Sequence, residues 1–218
     1  AVPVAATISS ATTLSVSSGV VDVAGTLTVN GAGLTFSGGQ FVGAGQLVVN
    51  GTLTWSGGVF DGPGQVVVAP GGVLASVGVS SRFLGRDLVN HGTVRVDVPF
   101  QVFGVVVLTN ASDGRIEFPD DNGAILFNSG TPSLVNAGTV AKTGGTGSNT
   151  IGIAVTSTGS FSVPTATRVA LTAGGSLDGP VSLSGGGTVA LAGGTFVASG
   201  SLGATGTGTF DVVAGATL

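Results

Sequence analysis

Residues 34–49 read LTFSGGQFVGAGQLVV, and residues 53–68 read LTWSGGVFDGPGQVVV. The two sixteen-residue strings are identical at eleven positions and are offset by 19 residues. A third copy, LSVSSGVVDVAGTLTV, lies upstream at residues 14–29, at an offset of 20. Self-similarity with a period of about 20 residues is typical of solenoid proteins, in which each repeat forms a coil that packs on its neighbours.

Each repeat contains short segments in which apolar and polar residues alternate. In GTLTV at residues 25–29, Leu27 and Val29 share one face of an extended chain, while Thr26 and Thr28 lie on the other. Alternation with a period of two indicates strands, and the Gly-rich pairs between segments permit tight corners. The sequence therefore predicts an all-β fold: a right-handed, single-stranded parallel β-helix of about eleven coils over residues 1–218, roughly 50 Å long.

Stacked coils place equivalent residues above one another, at a spacing of roughly 4.8 Å. The repeat therefore predicts three inward columns: Leu14, Leu34 and Leu53; Val16, Phe36 and Trp55; Val21, Phe41 and Phe60. The aromatic members could instead form an exposed platform for sugars. Their alignment with Val16 and Val21 favours the core.

The chain divides into three sections. Residues 1–72 and 166–218 carry the regular Gly-rich pattern, while residues 73–165 contain most of the charge and longer loops, including a predicted mobile protrusion at 142–150. The middle section repeats L-x-N followed by glycine, as in LVNHGTV from Leu88 and LVNAGTV from Leu134. Asparagines at equivalent corners are expected to bond to one another from coil to coil in a ladder: Asn30, Asn50, Asn90, Asn110 and Asn136.

The L-x-N-x-G-T-V motif and the G-T-L-T-V coils resemble the right-handed parallel β-helices of bacterial surface proteins. The similar families are the passenger domains of autotransporters and the filamentous-haemagglutinin-like adhesins, and the resemblance covers residues 14–218. It implies an exported, rod-like protein at the bacterial cell surface, with a host glycan or cell surface as its partner. Adhesin passengers often carry large side loops, whereas only short loops are evident here, which favours a scaffolding role.

Composition excludes several classes of function. The chain has 10 acidic and 6 basic residues and a net charge of −4, which argues against nucleic acid as a partner. Cysteine is absent, which rules out disulfides, thiolate metal sites and thiol nucleophiles. The densest apolar stretch, residues 102–108, is far shorter than the roughly 20 residues of a membrane-spanning helix. We therefore expect no membrane insertion of this segment, and no cofactor.

An acidic cluster is the strongest chemical candidate in the sequence. Paired carboxylates could serve a glycosidase, and oxygen ligands could hold Ca²⁺. The calcium interpretation uses Asp120, Asp121 and Asn122. Because Pro119 and Gly123 flank this run, a solvated loop is the favoured interpretation of the whole cluster: Asp113, Glu117, Asp120 and Asp121.

Two smaller groups have similarly plain explanations. His91 is the only histidine, and its place beside Asn90 favours a corner residue over a catalytic triad. Arg82 and Arg86 could bind an acidic sugar, but an ion pair between Arg86 and Asp87 or a neighbouring coil is the simpler prediction.

Taken together, these features favour a stiff structural segment of an exported bacterial surface protein, without catalytic activity. The expected partners are a neighbouring copy stacked end to end or further coils of a longer chain. Ice binding is an alternative because of the Thr-x-Thr pairs at residues 26–28 and 52–54, but Gln46 and Val48 interrupt that array. A polysaccharide-binding or polysaccharide-degrading β-helix is the other alternative.

Overall fold

The computed structural model describes residues 6–8, 13–31, 33–179 and 181–218. These residues form 31 short strands, numbered β1 to β31 along the chain, and no helix. No helix able to span a membrane is therefore present in these ranges. The strands build three parallel sheets that enclose a common core, which confirms the predicted parallel β-solenoid. It has about ten turns of roughly 21 residues each, where the sequence predicted about eleven coils.

The first sheet, the A sheet, contains eleven strands in the order in which they stack. They are β1 (Ala6–Ile8), β4 (Thr26–Val29), β7 (Gln46–Val49), β10 (Gln65–Val68), β13 (Asp87–Asn90), β16 (Val107–Asn110), β19 (Ser133–Asn136), β22 (Ala154–Ser157), β25 (Gly175–Leu177), β28 (Gly194–Ala198) and β31 (Ala216–Thr217).

The second sheet, the B sheet, contains ten strands. They are β2 (Leu14–Val16), β5 (Leu34–Phe36), β8 (Thr52–Trp55), β11 (Val73–Ser76), β14 (Thr93–Val96), β17 (Arg115–Phe118), β20 (Thr139–Lys142), β23 (Ser160–Ser162), β26 (Val181–Ser184) and β29 (Leu202–Ala204).

The third sheet, the C sheet, also contains ten strands. They are β3 (Val20–Asp22), β6 (Gln40–Val42), β9 (Gly58–Phe60), β12 (Arg82–Leu84), β15 (Phe100–Gly104), β18 (Ala124–Gly130), β21 (Ser148–Ile151), β24 (Arg168–Leu171), β27 (Thr188–Leu191) and β30 (Thr209–Val212). Each full coil thus contributes one strand to each sheet.

The register between coils places like residues over like. Leu14 pairs with Leu34 and Leu34 with Leu53, and the column continues to Leu74. Val16, Phe36 and Trp55 stack in the same sheet, while Val21, Phe41 and Phe60 stack in the C sheet. Leu14 and Val21, near the first coil, are partly buried, and the other members of these columns are buried.

Glycine at the corners permits the close approach of successive coils. At the corner between β5 and β6, Gly39 has a φ of +82°, a conformation that residues with a side chain rarely adopt. A Cβ atom on the preceding Gly38 would lie 2.5 Å from the carbonyl oxygen of Ser17 in the coil before. The Ser-Gly-Gly triplets of the repeat therefore reflect both backbone conformation and coil spacing.

Aromatic rings fill the core between the B and C sheets in the first half of the rod. The Phe36 ring lies edge-on to Phe41, with 4.9 Å between centroids, and Trp55 contacts Phe60 at 4.9 Å and Phe100 at 5.5 Å. All five rings are almost completely buried. An exposed sugar-binding platform of Phe36, Trp55 and Phe60 is therefore incompatible with this arrangement.

We expect Phe41→Ala to lower the free energy of unfolding of the surrounding coils by about 3–5 kcal/mol, because it removes a buried ring and leaves a cavity. Hydrogen exchange should show faster exchange in β3 to β10 and little change in β22 to β27, since the contacts of a coil reach only one or two coils along the rod. The exposed Gln40→Ala, on the same strand, is the control and should leave exchange unchanged. A uniform loss of protection along the whole rod would contradict this local response.

Candidate functional site

The five asparagines expected in a single ladder fall into two separate groups. Asn50 lies at an exposed corner and donates to Asn30 Oδ1 over 3.1 Å. Asn90, Asn110 and Asn136 instead end strands of the A sheet and point into the core. Asn90 pairs with Val68, and Val68 pairs with Val49, the residue before Asn50. The two groups of asparagines therefore belong to different columns.

The buried asparagines form a continuous chain of side-chain hydrogen bonds. Asn90 Nδ2 donates to Asn110 Oδ1 over 2.7 Å, and Asn110 Nδ2 donates to Asn136 Oδ1 over 2.7 Å. Asn136 Nδ2 donates to Ser157 Oγ over 3.0 Å. The second N–H of Asn90 reaches the Arg115 carbonyl at 3.0 Å, so the ladder also ties the A sheet to the B sheet. We name Asn90, Asn110, Asn136 and Ser157 the asparagine ladder.

A buried lysine lies at the corner between the B and C sheets. Lys142 pairs with Phe118 in the second inward column, and its side chain is fully buried. Its Nζ donates to Asp121 Oδ1 at 2.6 Å, to Asn149 Oδ1 at 2.6 Å and to the Asp120 carbonyl at 3.2 Å. The prediction of a mobile protrusion over 142–150 is wrong, because Lys142 ends β20 inside the core and residues 148–151 form β21.

The partners of Lys142 are themselves held in place. Asn149, also buried, donates to the carbonyls of Asp120 and Gly123 at 2.9 and 2.8 Å. Asp121 accepts the backbone N–H groups of Thr146 and Gly147 at 3.0 and 2.8 Å. The hydrogen bond from Lys142, followed by these two N–H groups, lowers the pKa of Asp121 to about 2. We name Lys142, Asp121 and Asn149 the lysine network.

The lysine network gives the acidic run a structural explanation. Lys142 bonds to Asp121 Oδ1 and to the Asp120 carbonyl, and the Asp120 carboxylate accepts N–H groups of Asn122 at 2.8 and 3.1 Å. The Asp120 and Asp121 oxygens of the calcium interpretation therefore have protein partners. In the described ranges, no group of three or more His, Asp or Glu side chains is arranged to hold a metal.

The two arginines singled out from the sequence are buried and bond to backbone carbonyls. Arg82 donates to Ser56 O at 3.3 Å, to Pro99 O at 3.1 and 3.2 Å, and to Val77 O, which links the same corner in three consecutive coils. Burial lowers the pKa of Arg82. A buried guanidinium that holds corners together is not available to grip an acidic sugar.

The predicted ion pair between Arg86 and Asp87 does not form in the described structure. Arg86 Nη2 instead donates to the Gly43 carbonyl, two coils away, while Asp87 Oδ1 accepts the Val107 N–H at 2.9 Å. Burial lowers the pKa of Arg86, and the nearby carboxylate of Asp61 opposes that shift. The adjacent charges in the sequence diverge because Arg86 is directed into the solenoid.

His91 lies at an exposed corner and contacts a carboxylate one coil away. Its Nδ1 is 2.9 Å from Asp113 Oδ1, and 40% of the His91 side chain is exposed. This hydrogen bond lowers the pKa of Asp113. The pair connects successive corners between the A and B sheets.

The outward face of the B sheet does not present a regular threonine array. The column that contains Thr52 continues with Val73, Thr93, Arg115 and Thr139. Every second position therefore carries an apolar or charged side chain. On the A sheet, Gln46 and Val48 pair with Thr26 and Thr28, so the threonine array is interrupted there as well.

An apolar cleft of about 500 Å³ lies where the C sheet turns into the A sheet. Its roof is the end of β18, which pairs with β15 as far as Gly130 but with β21 only at Ala124 and Ile125. The floor is the corner of the following coils, including Ile153 and Ala173. We name the part of β18 beyond Ile125 the overhang.

Comparisons with known proteins give no match to any family model, curated protein or solved structure. The resemblance to bacterial surface β-helices therefore depends on the motifs alone.

Sequence reasoning missed both the lysine network and the cleft, although signals for them exist. GTVAK at residues 138–142 aligns with GTVRV at 92–96, which places Lys142 at the inward position of Val96. The cleft has a signal in the spacing of 26 residues between Asn110 and Asn136, against 20 between Asn90 and Asn110. The added residues include the overhang.

We expect Asn110→Ala to lower the free energy of unfolding by about 2–4 kcal/mol, because it leaves the Asn90 amide and Asn136 Oδ1 buried without their partners. Asn50→Ala removes one exposed hydrogen bond and should change it by less than about 0.5 kcal/mol. Denaturant unfolding of both variants measures the difference. Equal losses in the two variants would show that burial of the ladder contributes nothing.

The low pKa of Asp121 predicts an acid-dependent contribution to stability. The carboxylate stabilises the fold fully above its ordinary pKa of 3.8, and this contribution is lost as the pH falls toward about 2. The difference in unfolding free energy between the native chain and Asp121→Asn should therefore be constant above about pH 5 and shrink below pH 4. Asp120→Ala is the control and should be nearly silent, since Lys142 uses the carbonyl of Asp120 rather than its carboxylate. A pH-independent difference for Asp121→Asn would refute the assignment.

Proposed function

We propose that this chain is a stiff structural segment of an extracellular bacterial surface protein, as part of an adhesin, a stalk or a surface fibre. The observation that carries the proposal is the continuity of the three parallel sheets, which run through every coil of the described chain. A rod with continuous ladders and an apolar core resists bending and offers few flexible segments to proteases.

The polar groups of the interior support a mechanical role. The asparagine ladder, Arg82 and the lysine network each connect neighbouring coils. The most perturbed carboxylate, Asp121, is paired with a lysine and two backbone N–H groups. These groups are fully engaged in coil-to-coil contacts, and the proposal assigns them no catalytic step.

Composition is compatible with export. The chain lacks cysteine and carries charged side chains at only 7% of its positions. These features agree with the resemblance to bacterial surface β-helices. The partner in this proposal is a host glycan or cell surface, contacted through the loop-bearing middle section.

We expect antibodies raised against the purified chain to label intact cells of its source, and proteases added to those cells to remove the label. An antibody against a cytoplasmic protein is the control and should label only permeabilised cells. Labelling of this chain that requires permeabilisation would contradict a surface location.

A further inference from the structure

We propose that the overhang and its cleft pair two copies of this chain in a two-fold symmetric dimer. In this arrangement, β18 of one copy lies antiparallel to β18 of the other, and the two rods lie side by side. The proposal concerns a lateral surface and is independent of any stacking at the ends of the rod.

The first observation is an unpaired strand edge. The ladder between β18 and β21 ends where Gly152 N–H donates to the Ile125 carbonyl at 2.7 Å. The chain then turns toward β22, and in the described structure no backbone hydrogen bond joins Phe127 to this coil. An open edge of this kind is a template for a strand from another chain.

The second observation is that no charged side chain guards this edge, although β18 has a bulge at Asn128 and Pro132 follows the strand. Proteins commonly protect exposed edges with charged side chains. Residues 126–131 read LFNSGT, and the residues that line the cleft are all uncharged. Two copies of the same edge can therefore approach each other without repulsion between like charges.

The third observation is that the same surface carries both a projection and a cavity. Phe127 is 54% exposed at the rim of the cleft, whereas the inward rings of Phe60 and Phe100 in the same sheet are buried. A two-fold axis requires one patch to be complementary to itself. Antiparallel overhangs would each place Phe127 at the cleft of the other copy.

Gly152 keeps the cleft open. A Cβ atom at this position would have no neighbour closer than 3.4 Å, the distance to the Ile125 carbonyl oxygen and to Phe127 N, and the φ angle of Gly152 is not positive. A larger side chain would therefore fit the backbone and project into the space between the overhang and the next coil. Gly152→Val therefore adds a branched side chain beside the overhang, from a backbone position that accepts a Cβ atom.

Because the chain contains no cysteine, a single introduced thiol reports on this surface. Ser129→Cys, on the overhang, should form a cross-linked dimer with a short bis-maleimide reagent. Ser182→Cys, exposed on the B sheet, is the matched control and should give little dimer. Stacking at the rod ends would not favour cross-linking at residue 129.

Sedimentation velocity over a range of concentrations tests the contacts. The native chain should pass from a monomer of 20.7 kDa to a dimer, and Phe127→Ser or Gly152→Val should raise the dissociation constant at least about tenfold. Gly203→Val, where a Cβ atom meets nothing within 4 Å, is the control and should leave it unchanged. Circular dichroism confirms that each variant is folded.

Three results would overturn the proposal. They are a chain that stays monomeric at all concentrations, cross-linking at residue 129 no stronger than at residue 182, and an unchanged dissociation constant in Phe127→Ser and Gly152→Val. An occupant from another protein, such as an extended peptide, would correspond to the first result.

Discussion

The whole molecule depends on the registered hydrogen-bond ladder between successive coils. Because each strand pairs in parallel with its equivalent in the next coil, any side chain that points inward lies directly over another inward side chain. This constraint converts a repeat of about 20 residues into columns. It also explains why the aromatic rings cluster, since columns on adjacent sheets meet inside a narrow core.

The same constraint decides how polar residues enter the core. An isolated buried amide or ammonium is costly, but a column gives it a partner in the coil above or below. In the A sheet, the inward column changes from Val68 to Asn90. From Asn90 onward each side-chain amide donates to the polar side chain in the next coil, and the chain of hydrogen bonds ends at Ser157. Lys142 ends an aromatic column and finds its partners at the adjacent corner. The asparagine ladder and the lysine network are therefore connected sets, whereas, within the described part of the chain, Arg86 Nε and Nη1, Trp55 Nε1 and Arg168 Nε are buried without a hydrogen-bond partner.

The sequence was sufficient for the fold because short-range periodicity determines it. Residues such as Leu34 and Phe60 follow directly from the alignment of repeats, and the structure pairs them in that register. Side-chain direction at the corners was harder to predict. Arg86 and Asp87 are adjacent in the chain, yet they make contacts in different coils, because Arg86 lies at the corner before β13 and is directed into the solenoid, whereas Asp87 begins the strand. Lys142 fits the inward pattern through GTVAK at residues 138–142, but it also begins KTGGTGSNT, whose Gly, Ser and Thr residues favour a loop.

The features that distinguish one coil from another lie where the sequence departs from the repeat. A solenoid coil needs only its two neighbours, so extra residues at one corner can project outward without disturbing the register of the core. The coil that contains β18 shows this, since Ile125 remains in the ladder while the residues that follow leave it. Stability therefore resides in the inward columns, and the proposed dimer contact lies in the added residues. We expect the two to change independently, because Gly152 lies outside the paired residues of β21 and a Cβ atom there meets no neighbour closer than 3.4 Å.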